Sequence, residues 1–211
     1  MRIAQTADDQ PALINLLFDL AYIALLERSD DLAAENAQQC LDLARALDDR
    51  FAIAQAANLL GILALYQERP EDGRGYFETY LEMARQLGHR RSIALALMNL
   101  GEVDYNLGHY ALARDRILES LMLGRAIGER MVVTIDCTLL GRVLCELGEP
   151  AQAAGYLREA LEVAQAIEAP PRAVGGLVNH PLGAVAEADP VEGLARRDIE
   201  VALGGQNRQW I

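Results

Sequence analysis

The sequence is poor in aromatic side chains, and runs of β-branched residues are scarce. Phe, Trp and Tyr make up 5% of the 211 residues, whereas hydrophobic residues make up 52%, with alanine and leucine the most frequent. Alanine and leucine favour helices, and strands are enriched in aromatic and β-branched residues. The composition therefore predicts an all-α, soluble protein with enough apolar surface to form a core.

Basic side chains are too few to balance the acidic ones. Nineteen Lys and Arg residues against 31 Asp and Glu residues give a formal net charge of −12. Nonspecific affinity for nucleic acid comes from clustered Lys and Arg, so this charge argues against a nucleic-acid partner. The acidity favours solubility but does not define what the protein binds.

Cysteine is sparse, and its three positions form no metal-binding pattern. Cys40, Cys137 and Cys145 lack the short spacing of zinc ligands, and an odd, small number suits a reducing compartment. We predict that all three pack as small apolar side chains. The sequence also has no glycine-rich phosphate loop and no nucleophile–base pair. It therefore predicts neither enzyme activity nor a cofactor or metal.

One apolar run could be mistaken for a membrane segment. The sequence ALINLLFDLAYIALL, residues 12–26, is shorter than the roughly 20 residues that a membrane span needs, and Asp19 interrupts it. Asp8 and Asp9, which precede the run, have the wrong charge for a secretory signal. We predict a buried helix here, no membrane contact and a cytoplasmic location.

The sequence repeats itself every 40 residues. The related segments ALDDRFAIA, QLGHRRSIA and AIGERMVVT begin at residues 46, 86 and 126. A leucine followed by a small residue recurs at Leu20-Ala21, Leu60-Gly61, Leu100-Gly101 and Leu140-Gly141. Further small residues follow at Ala33, Gly73, Ala113 and Ala153. Bulky residues then occur at Phe77, Ile117 and Leu157, with Ala37 in the first copy.

Each copy contains two helical patterns separated by short breaks. The first break reads RSDD, RPED, GHY or GEP, and the second is the recurring segment itself. Gly88 and Gly128 in the second break suit the left-handed residue that ends a helix. The small residues allow two antiparallel helices to approach closely, so we predict repeated helix–turn–helix units.

The third copy combines Leu-Gly with Gly108-x-Tyr110 and then Ala113, Ile117 and Leu121. This pattern resembles a tetratricopeptide repeat, although the period is 40 rather than the usual 34 residues. Arrays of this longer kind resemble those of bacterial signal-transducing ATPases and LuxR-type regulators, and of spindle-orientation adaptors. The resemblance implies a right-handed superhelical solenoid of antiparallel helix pairs. A HEAT-like repeat is the alternative, and the paired spacings argue against it.

The register predicts one solenoid over residues 1–211. Residues 1–10 would end a preceding second helix, and the repeats would cover residues 11–50, 51–90, 91–130, 131–170 and 171–211. Pro181 and nearby glycines predict a kinked or shortened helix in the irregular last copy. Neither end has the pattern of a capping repeat, which favours a longer array or multidomain regulator, with self-association through uncapped ends as a possibility.

The resemblance also implies a concave groove lined by the first helix of each pair. Residues at i, i+4 and i+7 share one helical stripe. Candidate groove residues on these stripes or flanking them are Phe18, Tyr22, Leu25, Asn58, Ile62, Tyr66, Met98, Asn99, Glu102, Tyr105, Asn106, Thr138, Arg142 and Glu146. The asparagines could hydrogen-bond a ligand backbone, and Arg142 could bind a carboxylate. Alternatively, Phe18 and Tyr22 pack against a preceding repeat.

Two kinds of polar residue have simpler structural explanations. His89, His109 and His180 fall in or near predicted breaks, where solvated histidines are expected rather than a shared metal or catalytic site. Asp104 occupies a register that is apolar in the other copies, so it needs a partner. We predict a structural ion pair with Arg114, Arg116 or Arg142.

The sequence therefore predicts a non-catalytic scaffold that binds a protein or peptide, such as an amphipathic helix. It would be the interaction or sensor segment of a larger bacterial regulatory protein. The alternative is a sensor domain of a transcriptional regulator that binds a small-molecule or short-peptide effector in the same groove. An enclosed pocket with convergent polar groups would favour that alternative.

Overall fold

The computed structural model describes residues 10–168 and shows an all-α fold, as the composition predicted. Eight helices and no strand occur in this range. The helices are α1 (Gln10–Leu26), α2 (Asp30–Ala46), α3 (Arg50–Tyr66), α4 (Pro70–Leu87), α5 (Arg90–Asn106), α6 (Tyr110–Ile127), α7 (Arg130–Glu146) and α8 (Pro150–Glu168). The predicted helix end before residue 10, the kinked helix and the fifth repeat lie outside the described residues.

The helices form consecutive pairs, each with a first helix (odd-numbered) and a second helix (even-numbered). A new helix begins every 20 residues, so the predicted 40-residue unit of helix, turn and helix is confirmed for these elements. The second helices α2 and α4 also pack against the first helix that follows them, α3 and α5. Two compact units meet in sequence between Leu123 and Gly124. The single solenoid over residues 1–211 stays a prediction.

Charged residues at the ends of the second helices match the helix dipole. Asp30 and Asp31 occupy the first turn of α2, and Arg45 occupies its last turn. The same arrangement recurs in α4, where Pro70 precedes two acidic residues and Arg85 lies in the last turn. Acidic side chains stabilise a helix N-terminus and basic side chains its C-terminus, so the sequence itself fixes these helix boundaries.

Each turn contains one residue in the left-handed backbone conformation, and these residues recur every 20 positions. Positive φ angles between 53° and 76° occur at Arg28, Asp48, Glu68, Gly88, Gly108, Gly128 and Gly148. At Gly88 the backbone N–H donates to the Arg85 carbonyl (3.1 Å), and the next N–H donates to the Ala84 carbonyl (3.0 Å). This is the bonding of a glycine-terminated helix end, and it confirms the prediction for Gly88 and Gly128. The first three turns make the same conformation without glycine.

Replacing Glu68 with glycine is expected to stabilise the protein. Glu68 has φ of 56°, a region that costs residues with a Cβ about 1–2 kcal/mol, whereas glycine adopts it freely. Glycine also loses more backbone entropy on folding, which offsets part of this benefit. We therefore expect the free energy of unfolding, measured by urea denaturation, to rise by about 0.5–1 kcal/mol. Glu78→Gly, on the exposed side of α4, is the control and should lose about 1 kcal/mol. A loss for both variants would contradict this explanation.

Glycines in the first helices allow close approach of the paired second helix. A Cβ added to Gly61 would lie 2.5 Å from Phe77 Cε1, and one added to Gly141 would lie 2.5 Å from Leu157 Cδ2. Gly101 is blocked in the same way by Ile117. The predicted close approach is therefore confirmed. In the first pair, Ala21 takes the glycine position and the opposing residue is Ala37, so alanine on both sides replaces the glycine–bulky combination.

Helix α1 differs from the predicted buried helix. Ile14, Ala21, Ala24 and Leu25 are buried, but several large apolar side chains on another face are 39–51% exposed. These are Leu16, Leu20, Ile23 and Leu26. The prediction is correct for the helix and wrong for its complete burial, because the described helices cover only part of its surface. Among residues 10–168, none of the helices has the length and apolarity to cross a membrane.

The cysteines divide into two buried residues and one exposed residue. Cys40 donates a hydrogen bond to the Ile14 carbonyl (3.5 Å), and burial raises its pKa to about 11. Burial likewise raises the pKa of Cys137 to about 12. The packing prediction is wrong for Cys145, because Val143 and Leu144 occupy the buried positions in the last turn of α7.

Candidate binding surface

The first helices α1, α3 and α5 carry most of the predicted groove residues. We call eight of these residues the first-helix surface: Phe18, Tyr22, Asn58, Tyr66, Asn99, Glu102, Tyr105 and Asn106. Asn99 is 4% exposed and Asn106 is exposed, whereas the other six are half-buried. All eight lie in the first compact unit. They therefore form a partly accessible set on three successive first helices.

Three apolar residues predicted for the groove are buried instead. Leu25 is 3% exposed and belongs to the hydrophobic core with Leu41 of α2. Met98 is 1% exposed and Ile62 is 7% exposed. Residues at i, i+4 and i+7 span a wide arc of the helix surface. Some of them therefore face the neighbouring helices instead of the solvent. We therefore leave these three residues out of the first-helix surface.

The remaining predicted groove residues lie on α7, in the second unit. The Thr138 side chain is 5% exposed, and its hydroxyl donates to the Thr134 carbonyl at 2.9 Å. Arg142 is half-buried, and Glu146 is exposed near the helix end. Because Thr138 already bonds within its own helix, only Arg142 and Glu146 remain polar candidates on α7.

An amide pair joins two successive first helices. Asn99 Nδ2 on α5 donates to Asn58 Oδ1 on α3 at 3.0 Å. The register of Asn99 is occupied by Leu59 in α3 and by Leu139 in α7, each 3% exposed. Leucine thus fits this position in two other helices. Helix packing does not require the polar pair.

Partly buried aromatic side chains occur on α1, α3 and α5, the helices that carry the first-helix surface. Phe18 and Tyr66 are partly buried and pack against the hydrophobic core. The rings of Tyr105 and Tyr110 are tilted by 52° with their centroids 5.7 Å apart. Anchored aromatic rings with one accessible edge offer apolar contact at a low entropy cost, which suits a binding surface.

Asp104 is the centre of a buried charge cluster. Its side chain is fully buried, and its carboxylate accepts hydrogen bonds from Arg116 (2.6 Å) and Arg74 (2.8 Å). His109 Nδ1 lies 3.8 Å from the same carboxylate. The predicted structural ion pair is confirmed with Arg116, whereas Arg74 is a second partner that the sequence pattern does not indicate. Arg114 pairs instead with its neighbour Asp115 at 3.2 Å.

The two described histidines are exposed in turns, as predicted. His89 precedes α5 and its Nδ1 lies 2.7 Å from Ser92 Oγ, whereas His109 lies in the turn between α5 and α6. His180 lies outside the described residues. Within residues 10–168, no group of three or more His, Cys, Asp or Glu side chains is placed to hold a metal ion.

No protein-family model and no curated protein sequence matches this chain. Solved structures match its fold. RapI in its apo form aligns with a TM-score of 0.73 and 16% identity, over 77% of this chain and 59% of RapI. A Rap conjugation gene regulator in complex with the Phr peptide gives 0.63 and 18%, over 78% of this chain and 45% of the regulator.

A third match has a named repeat type. The Signal Transduction ATPase with Numerous Domains protein with a tetratricopeptide repeat sensor, from Pyrococcus horikoshii, gives a TM-score of 0.68 and 17% identity. The alignment covers 77% of this chain and 25% of that protein. The chain thus spans about three fifths of RapI and a quarter of the ATPase. Its fold is a tetratricopeptide-like helical repeat array, as the sequence pattern indicated.

Proposed function

We propose that this chain is a non-catalytic scaffold that binds a peptide, or a segment of another protein, on the first-helix surface. The Asn58–Asn99 amide pair carries the proposal, because leucine fills the equivalent of Asn99 in two other helices. Burying polar amides has a cost that packing alone does not offset. A ligand that uses their remaining hydrogen-bonding groups gives the pair a function.

The chemistry of the amide pair favours an extended peptide over an amphipathic helix. Each asparagine has two N–H donors and an oxygen that can accept two hydrogen bonds. The contact between them uses one donor of Asn99 and one acceptor position of Asn58. The remaining groups match the free N–H and C=O groups of an extended backbone, whereas a helix satisfies its own backbone groups.

Aromatic residues would supply the apolar part of the interaction. Phe18, Tyr22, Tyr66 and Tyr105 are half-buried on the same three helices, so their rings are held in place before a ligand binds. Such anchored rings supply much of the energy in protein interfaces. The formal net charge of −12 disfavours an acidic ligand. We therefore propose a peptide with apolar side chains and no strong negative charge.

The fold comparisons support a regulatory setting for this binding. One structure of similar fold is a gene regulator in complex with a peptide, and another belongs to a signal-transduction ATPase with a repeat sensor. We propose that this chain is likewise the interaction or sensor segment of a regulatory protein. Binding of the peptide would then be signalled to a part of that regulatory protein outside the first-helix surface.

Substitution of Asn99 with leucine tests the proposed function. Linear peptides would be selected from a random phage-displayed library, and their affinity measured by isothermal titration calorimetry. We expect Asn99→Leu to weaken binding about tenfold or more, because a peptide backbone group loses its partner. The unfolding midpoint should not fall, since leucine occupies this register elsewhere.

Glu78→Gln, on the exposed side of α4, is the matched control and should bind the selected peptides normally. Equal affinity of the wild-type protein and Asn99→Leu would refute the assigned surface. Failure to select any peptide, together with stabilisation by a small molecule, would favour the small-molecule alternative.

A further inference from the structure

Helix α1 presents an apolar face that the described residues leave open. Leu16 is 48% exposed, Leu20 is 39% exposed and Ile23 is 50% exposed. Their spacing of four and three residues places them on one stripe of the helix. Exposed leucines are ordinary one at a time, but three on one stripe of one helix indicate a contact surface.

The same three positions are buried in the next two first helices. In α3 they are Ala56, Leu60 and Leu63, and in α5 they are Ala96, Leu100 and Val103, all between 0% and 5% exposed. Helices α3 and α5 each have a preceding second helix packed against them, α2 and α4. The open face of α1 is therefore the face that takes a preceding helix pair elsewhere in this unit.

The second helices that pack on α3 and α5 indicate the chemistry of a helix that would cover α1. The second helices α2 and α4 carry alanines that are fully buried, Ala44 and Ala84. Asp19 is exposed on α1 and shares its register with Asn99, which bonds to Asn58 of the preceding first helix. A helix stacked before α1 in the same way would therefore face Asp19 with the equivalent of Asn58.

We propose that the open face of α1 is a stacking surface for a further helix pair of this repeat type. The second helix of that pair packs small side chains on Leu16, Leu20 and Ile23. Its first helix presents a hydrogen-bond donor, such as asparagine, lysine or arginine, to the Asp19 carboxylate. This inference does not rest on the proposed peptide binding: the stacking surface is Leu16, Leu20 and Ile23, and only Asp19 shares a register with a residue of the first-helix surface, Asn99.

A fusion that supplies the missing pair tests the proposal. A copy of residues 50–89, which contain α3, α4 and the turn after them, would be inserted directly before Gln10. This insertion keeps the 40-residue register, so the copied Asn58 would face Asp19. We expect the thermal midpoint to rise by about 5 °C or more, because a stacked repeat adds an interface.

Leu16→Glu with Leu20→Glu is the decisive variant. In the original chain these side chains are 48% and 39% exposed, so the double change should lower the midpoint less there than in the fusion. In the fusion it should abolish the gain. Leu112→Glu, at an equally exposed leucine of α6, is the control and should leave the gain intact.

Asp19→Leu distinguishes the hydrogen bond from simple apolar burial. The fusion should lose part of its gain with Asp19→Leu if a donor from the copied Asn58 reaches the carboxylate. A fusion with no gain, or a gain that survives Leu16→Glu with Leu20→Glu, would overturn the proposal. So would a dimer of the original chain, seen by light scattering, that those two changes dissociate, because a second copy would then occupy the face.

Discussion

Gly61→Ala is expected to lower the free energy of unfolding by about 1–3 kcal/mol, although alanine is the better helix former. The new Cβ would lie 2.5 Å from Phe77 Cε1, 2.7 Å from Cζ and 2.8 Å from Cδ1. Phe77 is completely buried, so its ring has no free volume into which to move. The helices α3 and α4 must separate or the ring must leave its preferred rotamer, and both cost free energy.

Gly75→Ala is the matched control for this prediction. Gly75 also lies in a helix, but an added Cβ would meet no atom within 4 Å. We expect this variant to gain about 0.5–1 kcal/mol from helix propensity alone. Urea denaturation followed by circular dichroism would measure both. Similar effects of the two variants would show that close helix approach does not explain Gly61.

A double substitution tests whether positions 61 and 77 are in direct contact. Gly61→Ala with Phe77→Ala recreates the Ala21–Ala37 combination of the first helix pair. Phe77→Ala alone should cost about 3–5 kcal/mol through the cavity it leaves. In that background the further change Gly61→Ala should cost nothing or be favourable, because the clash has been removed. Additive losses would contradict direct contact between the two positions.

Arg116→Met is expected to destabilise the protein by about 2–4 kcal/mol, because it removes one partner of a fully buried carboxylate. Asp104 would keep Arg74 but lose the shorter of its two arginine contacts, which measure 2.6 and 2.8 Å. Methionine preserves the apolar stem of arginine, so lost packing contributes little. The loss in the free energy of unfolding should therefore reflect the missing positive charge beside the Asp104 carboxylate.

Asp104→Leu should be less damaging than Arg116→Met, since it removes the buried charge rather than isolating it. The side chains of Arg74 and Arg116 are 27% and 22% exposed, so both can turn toward water. Leu144 is buried at the equivalent position of α7, which shows that this register accepts leucine. Arg114→Met, which breaks only an exposed pair, should change stability by less than about 0.5 kcal/mol. The opposite order of Asp104→Leu and Arg116→Met would contradict this explanation.

The repeat architecture could be predicted because close packing constrains residue size at fixed positions. Two helices at short distance need a small residue on one and room for a bulky residue on the other. That requirement produces Gly61 with Phe77 and Gly141 with Leu157, and it recurs at the period of the fold. The turns are equally regular, because each needs one residue of positive φ.

The surface chemistry was less predictable because it depends on neighbouring helices. Arg74 reaches Asp104 from the preceding second helix, thirty residues away, and no local spacing marks that contact. The partners Asn58 and Asn99 differ by one position in the repeat register, so aligning the copies does not pair them. Leu25 and Met98 lie at the edges of their stripes, where a neighbouring helix decides between burial and exposure.

The exposed face of α1 and the exposed Cys145 follow the same rule. Each lies at a position where sequence pattern alone predicts burial, and each is exposed among the described residues. Periodicity in the sequence indicates which face of a helix is apolar. It does not indicate whether another helix is present to bury that face.

NMR mapping of a selected peptide on the isotopically labelled protein tests the central claim most directly. We expect the largest chemical-shift changes at first-helix residues of the first unit, including the side-chain amides of Asn58 and Asn99 and the backbone near Tyr105. Backbone amides of the second helices α2 and α4 should change little. Shifts concentrated on those second helices, with the Asn58 and Asn99 side chains unaffected, would contradict a binding scaffold that uses its first helices.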